Sequence, residues 1–321
     1  MITKPVRVLL SAAVVAALLA TACGSDSSNN NANSAASSSG AAATFTFVPL
    51  DSGGPNTKAA LDKGDIQIAV LYSSDGSLIK NKDKWVALED DKKLQPVDNF
   101  APAVIKTKAT PQVTAVLDAV DAKLTKEAVQ NAVASVSIDG ENPEDVATKF
   151  LTDNKLPPSG TTATGTFVVG SANFAESEFA AQLYGQALQK AGATVSYKMD
   201  FGAREAYLPA LEQGQLDLVP EFIGTLATFL GGESSNDLTA TLNDAKQRSE
   251  AKGFTLTKPA PADSVNTYVV TKQTADKYGL KNVSDLAKVS DPLKLGGPPE
   301  CPKRQPCLLG LKSVYGLKFN A

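Results

Sequence analysis

Apolar and polar positions in this chain follow a helical period in some stretches and a strand period in others. One short phrase in which the two meet occurs twice. In AALDKGDIQIAVLY, ending on Tyr72, and PALEQGQLDLVPEF, ending on Phe222, a helical run stops at a glycine (Gly64, Gly214) and a short apolar run follows. The aromatic stands eight residues after the glycine in both copies. In open α/β sheets ligands bind beyond the carboxyl ends of the strands, so both rings stand where a ligand would be met. The plainer reading of the phrase is a helix-to-strand joint closed by an aromatic plug.

The same patterning predicts strands over residues 45–50, 66–72, 85–88, 166–170, 194–199 and 267–271. Helices are expected after the turn at 51–55, where Pro55 suits a first helical position, and over 111–123, 126–135, 142–151, 177–191 and 237–252. Residues 157–165 have turn and linker composition with no hydrophobic pattern, and 259–262 form a Pro/Ala-rich crossing. Alternation of strands and helices with short connections implies an α/β fold with mostly parallel sheets.

A chain of 321 residues with 43% hydrophobic content can bury a core of two ordinary domains. A net charge of -3 without a long basic run argues against nucleic acid as a partner. The chain has no histidine, which removes Ser-His-Asp and Cys-His catalysis, most zinc sites and the easiest general base at neutral pH. Glu176, Glu205 and Glu221 show no paired acid–base spacing or metal cluster. No catalytic residue, metal or cofactor is therefore expected.

The first residues have the layout of an export signal, with Lys4 and Arg7, an apolar run over 8–20 and then Thr21-Ala22-Cys23-Gly24. Cys23 after small residues resembles the lipidation site of a bacterial lipoprotein. An ordinary signal peptide is the other reading, and the run is short for a membrane span. Residues 1–22 are thus expected to be a signal peptide and 23–44 a lipidated, disordered tether rich in Ser, Asn and Ala. Cys301 and Cys307 remain, in PPECPKRQPCLLG. Outside the cytoplasm such an even pair is expected to close a disulfide; free thiols are the alternative.

Four segments resemble the osmoprotectant-type solute-binding proteins of ABC importers, which take glycine betaine, choline, carnitine and related quaternary ammonium compounds. They are GSANFAE from Gly170, GAREAYLPALEQGQLDLVPEFIGTL from Gly202, GGPPECPKRQPCLLGLKSVYGLKF from Gly296, and FVPLDSGGPNTKAALDKGDIQIAVLYSSDG running on through VALEDDKKLQPVDNFAP. The order is inverted relative to the family, whose PLDxGGPxTKAAL block comes last. The chain therefore resembles a circular permutant. Its natural ends would be joined through 157–165, and YGLKF followed by TFTFVPLD would be the family's continuous run. The competing reading is a remnant of two adjacent domains, each half needing a partner half from another molecule.

The resemblance implies a two-lobed, type II periplasmic-binding fold with crossings near 98–102 and 262–266. One lobe would be continuous over 99–261 and the other split between 45–98 and 262–321. It also implies a ligand cage. Tyr72, Phe222 and Tyr268 fall on cage positions, where ring faces would surround the methyl groups of a cation. Asp98 stands in PVDNFAP where the family commonly has an aromatic, and a carboxylate there would attract a cation and repel a ligand carboxylate. Of the groups that often hold that carboxylate, a lysine is replaced by Ala172, whereas Thr225 and Arg304 match. Asn173 and Asn266 are expected polar liners. The partners implied are a quaternary ammonium ligand, an ABC permease and, through the lipid, a membrane, with the protein itself a monomer. A structural envelope lipoprotein that closes on no small molecule is the alternative.

Overall fold

The structure is a computed structural model that describes residues 43–320. The export signal expected over 1–22, lipidation at Cys23 and the tether as far as residue 42 lie outside the described residues. The last residue assigned to the tether, Thr44, already opens the first strand. In chain order the strands are β1 (Thr44–Pro49), β2 (Ile68–Tyr72), β3 (Trp85–Leu88), β4 (Phe100–Ile105), β5 (Thr166–Gly170), β6 (Thr194–Lys198), β7 (Leu218–Phe222), β8 (Phe254–Leu256), β9 (Asn266–Thr271), β10 (Lys294–Gly297) and β11 (Lys318–Phe319). They form two sheets, ordered β11-β1-β10-β2-β9-β3 and β6-β5-β7-β4-β8.

The repeated phrase folds alike in both sheets. The helices Pro55–Lys63 and Arg204–Glu212 both run into a left-handed glycine, Gly64 at φ +78° and Gly214 at φ +72°. The backbone bonds that close the two turns correspond atom for atom. Gly64 N–H donates to Leu61 and Asp65 N–H to Ala60; Gly214 N–H donates to Leu211 and Gln215 N–H to Ala210. Only a residue without a Cβ adopts that φ at no cost, so glycine is what turns each helix back into its strand.

The sheets are mixed, not mostly parallel. β1 runs parallel to β10 and β11, β10 to β2, and β5 to β6 and β7, whereas β9 is antiparallel to β2 and β3, and β4 to β7 and β8. The reversed strands β4 and β9 are the two that enter a sheet directly from the other one. Each sheet is covered on both faces. In β2, Ile68 and Val70 join one core while Ala69 and Leu71 join another, and in β4 Phe100 and Val104 are parted in the same way from Ala101 and Ala103. Burial on both faces explains why these strands are apolar throughout instead of alternating.

β11 lies parallel beside β1, with Lys318 opposite Thr44 and Phe319 opposite Phe45. The rings of Phe45 and Phe319 are 5.6 Å apart. Phe319 therefore does not lead directly into Phe45, because two parallel neighbours need a crossover to be joined.

Cys301 and Cys307 are linked, with Cα atoms 5.3 Å apart. The loop they close presents the Pro306 carbonyl to three donors, Gln95 Nε2 at 2.9 Å, Asn266 Nδ2 at 3.0 Å and the Tyr268 hydroxyl at 3.4 Å. Replacing both cysteines by serine is expected to cost about 2 kcal/mol for a loop this short. A lower urea midpoint at unchanged slope would register that loss, and an unmoved midpoint would refute it.

Candidate functional site

The two copies of the phrase converge where the chain crosses between sheets. Tyr72 ends β2 opposite Asn266, the first residue of β9, and Phe222 ends β7 opposite Phe100, the first residue of β4. The residues that precede β4 and β9 pair with each other, Asn99 with Asp263. Cross-bonds tie these segments together: Ser264 N–H donates to the Asp98 carbonyl at 3.1 Å, and the Ser73 hydroxyl to Asp263 Oδ1 at 2.7 Å. Each lobe thus brings an aromatic strand end to one shared hinge.

Beside the hinge lies a cavity of about 720 Å³ whose wall comes from both lobes. Tyr72, Asp98, Thr225, Asn266 and Arg304 all line it, together with Gln95, Pro96, Ser264 and Gln305. A second cavity of about 470 Å³ shares Gln95, Pro96, Asn236, Val265 and Asn266 with the first and reaches Tyr268. The three rings expected to form a cage do not line one cavity. Tyr72 is 39% exposed, whereas Tyr268 is 1% exposed, with its ring inside the core of the split lobe. Phe222 is half-buried with its ring 4.5 Å from that of Phe100, and neither it nor the exposed Asn173 lines either cavity.

Asp98 is buried, and its Oδ1 accepts the N–H groups of Gly224 at 2.8 Å and Thr225 at 2.9 Å, at the start of the Ile223–Phe229 helix. Burial pushes its carboxyl up to about 7, with Glu221 adding to the shift, while the bonds from Thr225 and Gly224 and the charge of Arg204 oppose it. Behind it, fully buried Glu221 receives Arg204 through Nε at 3.1 Å and Nη2 at 2.8 Å, and the Tyr207 hydroxyl at 2.8 Å. Burial first, then Glu221, raises the Tyr207 phenol, which keeps its proton and stays a donor. Arg204 Nη2 also donates to the Thr225 hydroxyl at 2.9 Å. Arg304, on the opposite lobe, pairs with Glu300 at 3.2 Å.

Two features of the cleft were not singled out from the sequence. Phe174, inside GSANFAE, is 41% exposed and stacks on Phe222 with ring centres 6.3 Å apart; an aromatic just before the Ala175–Lys190 helix, whose first turn carries Glu176, was the available signal. The second is a contact between lobes. Ser74 donates to Glu176 at 2.6 Å, Gln130 Nε2 to the Ser73 carbonyl at 2.7 Å, and Gly76 of the Gly76–Lys80 helix meets the backbone of Ala134 in the Lys126–Ser137 helix. Burial raises the Glu176 carboxyl, against the bond from Ser74.

Two α/β lobes hinged on paired crossings, with a cavity walled by both, have the build of a solute-binding protein. A family model described as the substrate binding domain of ABC-type glycine betaine transport system matches residues 27–153 and 165–321. The chain belongs to that family, which is one of solute-binding proteins and not of enzymes. It is similar to a glycine-betaine-binding protein from Pseudomonas aeruginosa, 29% identical over 165 residues that span 48% of this chain and 53% of the relative. It is also similar to the glycine betaine-binding protein YehZ of Escherichia coli, 26% identical over 168 residues, 47% of this chain and 52% of the relative. The chain thus spans about half the length of these curated relatives. Among solved structures, NikA from Brucella suis in complex with Fe(III)-EDTA aligns with 68% of this chain and 56% of its own at 13% identity and a TM-score of 0.34. Among the described residues no helix is long and apolar enough to cross a membrane.

Proposed function

We propose that this chain is the extracytoplasmic solute-binding component of an ABC importer and that its cleft takes a quaternary ammonium compound. The observation that carries the reading is the half-open ring of Tyr72 on the wall of the interlobe cavity, in a chain of the glycine betaine transport family. A permanently methylated cation has no N–H to donate, so a ring face and a nearby carboxylate are the groups that can attract it, a face giving about 0.5–2 kcal/mol. Asn266 and Gln95 add polar contacts on the same wall. The hinge at Asn99 and Asp263 lets the lobes close over the ligand, and the closed form docks on a permease.

The lobes are a circular permutation of the family order. In support, the two matched segments are separated at residues 154–164, a gap that overlaps the linker-like stretch, and the two ends of the described chain meet on one sheet edge. Cys23 carries the lipid that tethers the protein to the membrane, and the protein acts as a monomer.

A thermal-shift panel of choline, glycine betaine, carnitine, ergothioneine and proline betaine tests the reading. At least one should raise the melting temperature, and Tyr72→Ala should cut that ligand's affinity by about tenfold. A melting temperature unmoved by every compound would leave a structural lipoprotein as the better description.

A further inference from the structure

One corner of the cavity presents the backbone N–H groups that open the Ile223–Phe229 helix, and the chain fills that corner from within. Oδ1 of Asp98 takes the N–H groups of both Gly224 and Thr225, and Gly224 is what lets the Asp98 segment approach: a Cβ there would lie 2.2 Å from the Val97 carbonyl oxygen. The Thr225 hydroxyl accepts from Arg204, which also donates to Glu221, and as a donor it lies 3.5 Å from both Asp98 Oδ1 and the Phe222 carbonyl oxygen. Arg304, the other charged group on the cavity wall, is paired with Glu300. A ligand carboxylate would find the Gly224 and Thr225 N–H groups occupied and a like charge beside it, whereas a cation would find a carboxylate at the wall.

We infer that Asp98 is the specificity-determining residue of this cleft and selects cations that carry no carboxylate, amino alcohols of the choline type over betaines. The inference depends on the quaternary ammonium reading and narrows it.

A pH signature follows. The groups facing Asp98 are Gly224 and Thr225 of the 223–229 helix, Arg204 of the 204–212 helix and Glu221 at the end of β7, with Tyr72 and Arg304 on the cavity wall. Burial holds the Asp98 carboxyl at about 7. Only its ionised form attracts a cation, so choline affinity is full above that pH and falls as the carboxyl gains its proton below it. For a betaine held by its carboxylate, the same protonation removes a repulsion and does not weaken binding.

Titration calorimetry of choline and glycine betaine on the full chain in mild detergent, at pH 8 and pH 6, with Asp98→Asn alongside, tests this. Choline should bind about tenfold tighter than glycine betaine at pH 8 and lose up to about tenfold at pH 6, while glycine betaine does not weaken. Asp98→Asn should flatten both profiles and bring the two affinities within about threefold. Glycine betaine binding as tightly as choline, with Asp98→Asn changing neither, overturns this inference alone. Absence of binding by both overturns the quaternary ammonium reading and this inference with it. If the asparagine variant does not fold, the wild-type profiles decide: diverging pH slopes sustain the assignment and parallel ones overturn it.

Discussion

Replacing Arg204 by methionine should destabilise the protein by about 3–5 kcal/mol, the usual cost of removing one partner from a buried ion pair. Glu221 is fully buried, and of its partners Arg204 alone carries a positive charge; the Tyr207 hydroxyl and the Phe222 N–H, at 2.8 and 3.0 Å, are neutral donors. Without the guanidinium, a carboxylate is left in the protein interior with no countercharge. At about 2–4 °C per kcal/mol, the melting temperature should drop by about 10 °C. The double variant Arg204→Met, Glu221→Gln should recover most of the loss, because no unpaired charge then remains. A single variant that melts within about 2 °C of the parent would show that water or a rearranged partner solvates Glu221.

The second large effect is expected at Gly76. A Cβ there would stand 2.4 Å from the Ala134 nitrogen and 2.6 Å from its Cα, backbone atoms that cannot rotate away. Gly76→Ala must therefore part the Gly76–Lys80 and Lys126–Ser137 helices, at about 1–3 kcal/mol for overpacking of this kind. These helices belong to different lobes, so the least costly relief is to open the cleft. Ligand affinity should fall by about tenfold or more, with a measurable rise in radius of gyration by small-angle scattering. Equal affinity and an unchanged radius would mean that the strain is absorbed within one lobe.

The repeated phrase was legible because its information is local: a glycine forced to positive φ, an apolar run and an aromatic at fixed offset are all set by neighbours in sequence. β4 was not. Pro102 inside FAPAVI reads as a strand breaker, yet it stands in β4 opposite Pro220 of β7, a pairing of segments more than a hundred residues apart. The mixed sheets were hidden for the same reason, since strand direction depends on where a crossing enters.

At the site, residue types were readable and their employment was not. Asp98 was visible as a carboxylate in an aromatic position, but nothing local said that its oxygen would cap the 223–229 helix. Tyr268 has the same composition signal as Tyr72. It lies two residues further into its strand than Asn266, which pairs with Tyr72, and that step carries the ring from cleft to core. Phe174 went unnoticed because it precedes its helix instead of ending a strand.

The adjacency of β1 and β11 has a practical corollary for watching the lobes move. Dyes attached near residues 43 and 320 would ride on one rigid sheet, and their energy transfer would stay constant however far the cleft swings. A fluorescent sensor built on this scaffold needs its second dye across the hinge, for example on the Pro143–Asp153 helix, where rotation becomes a change in distance.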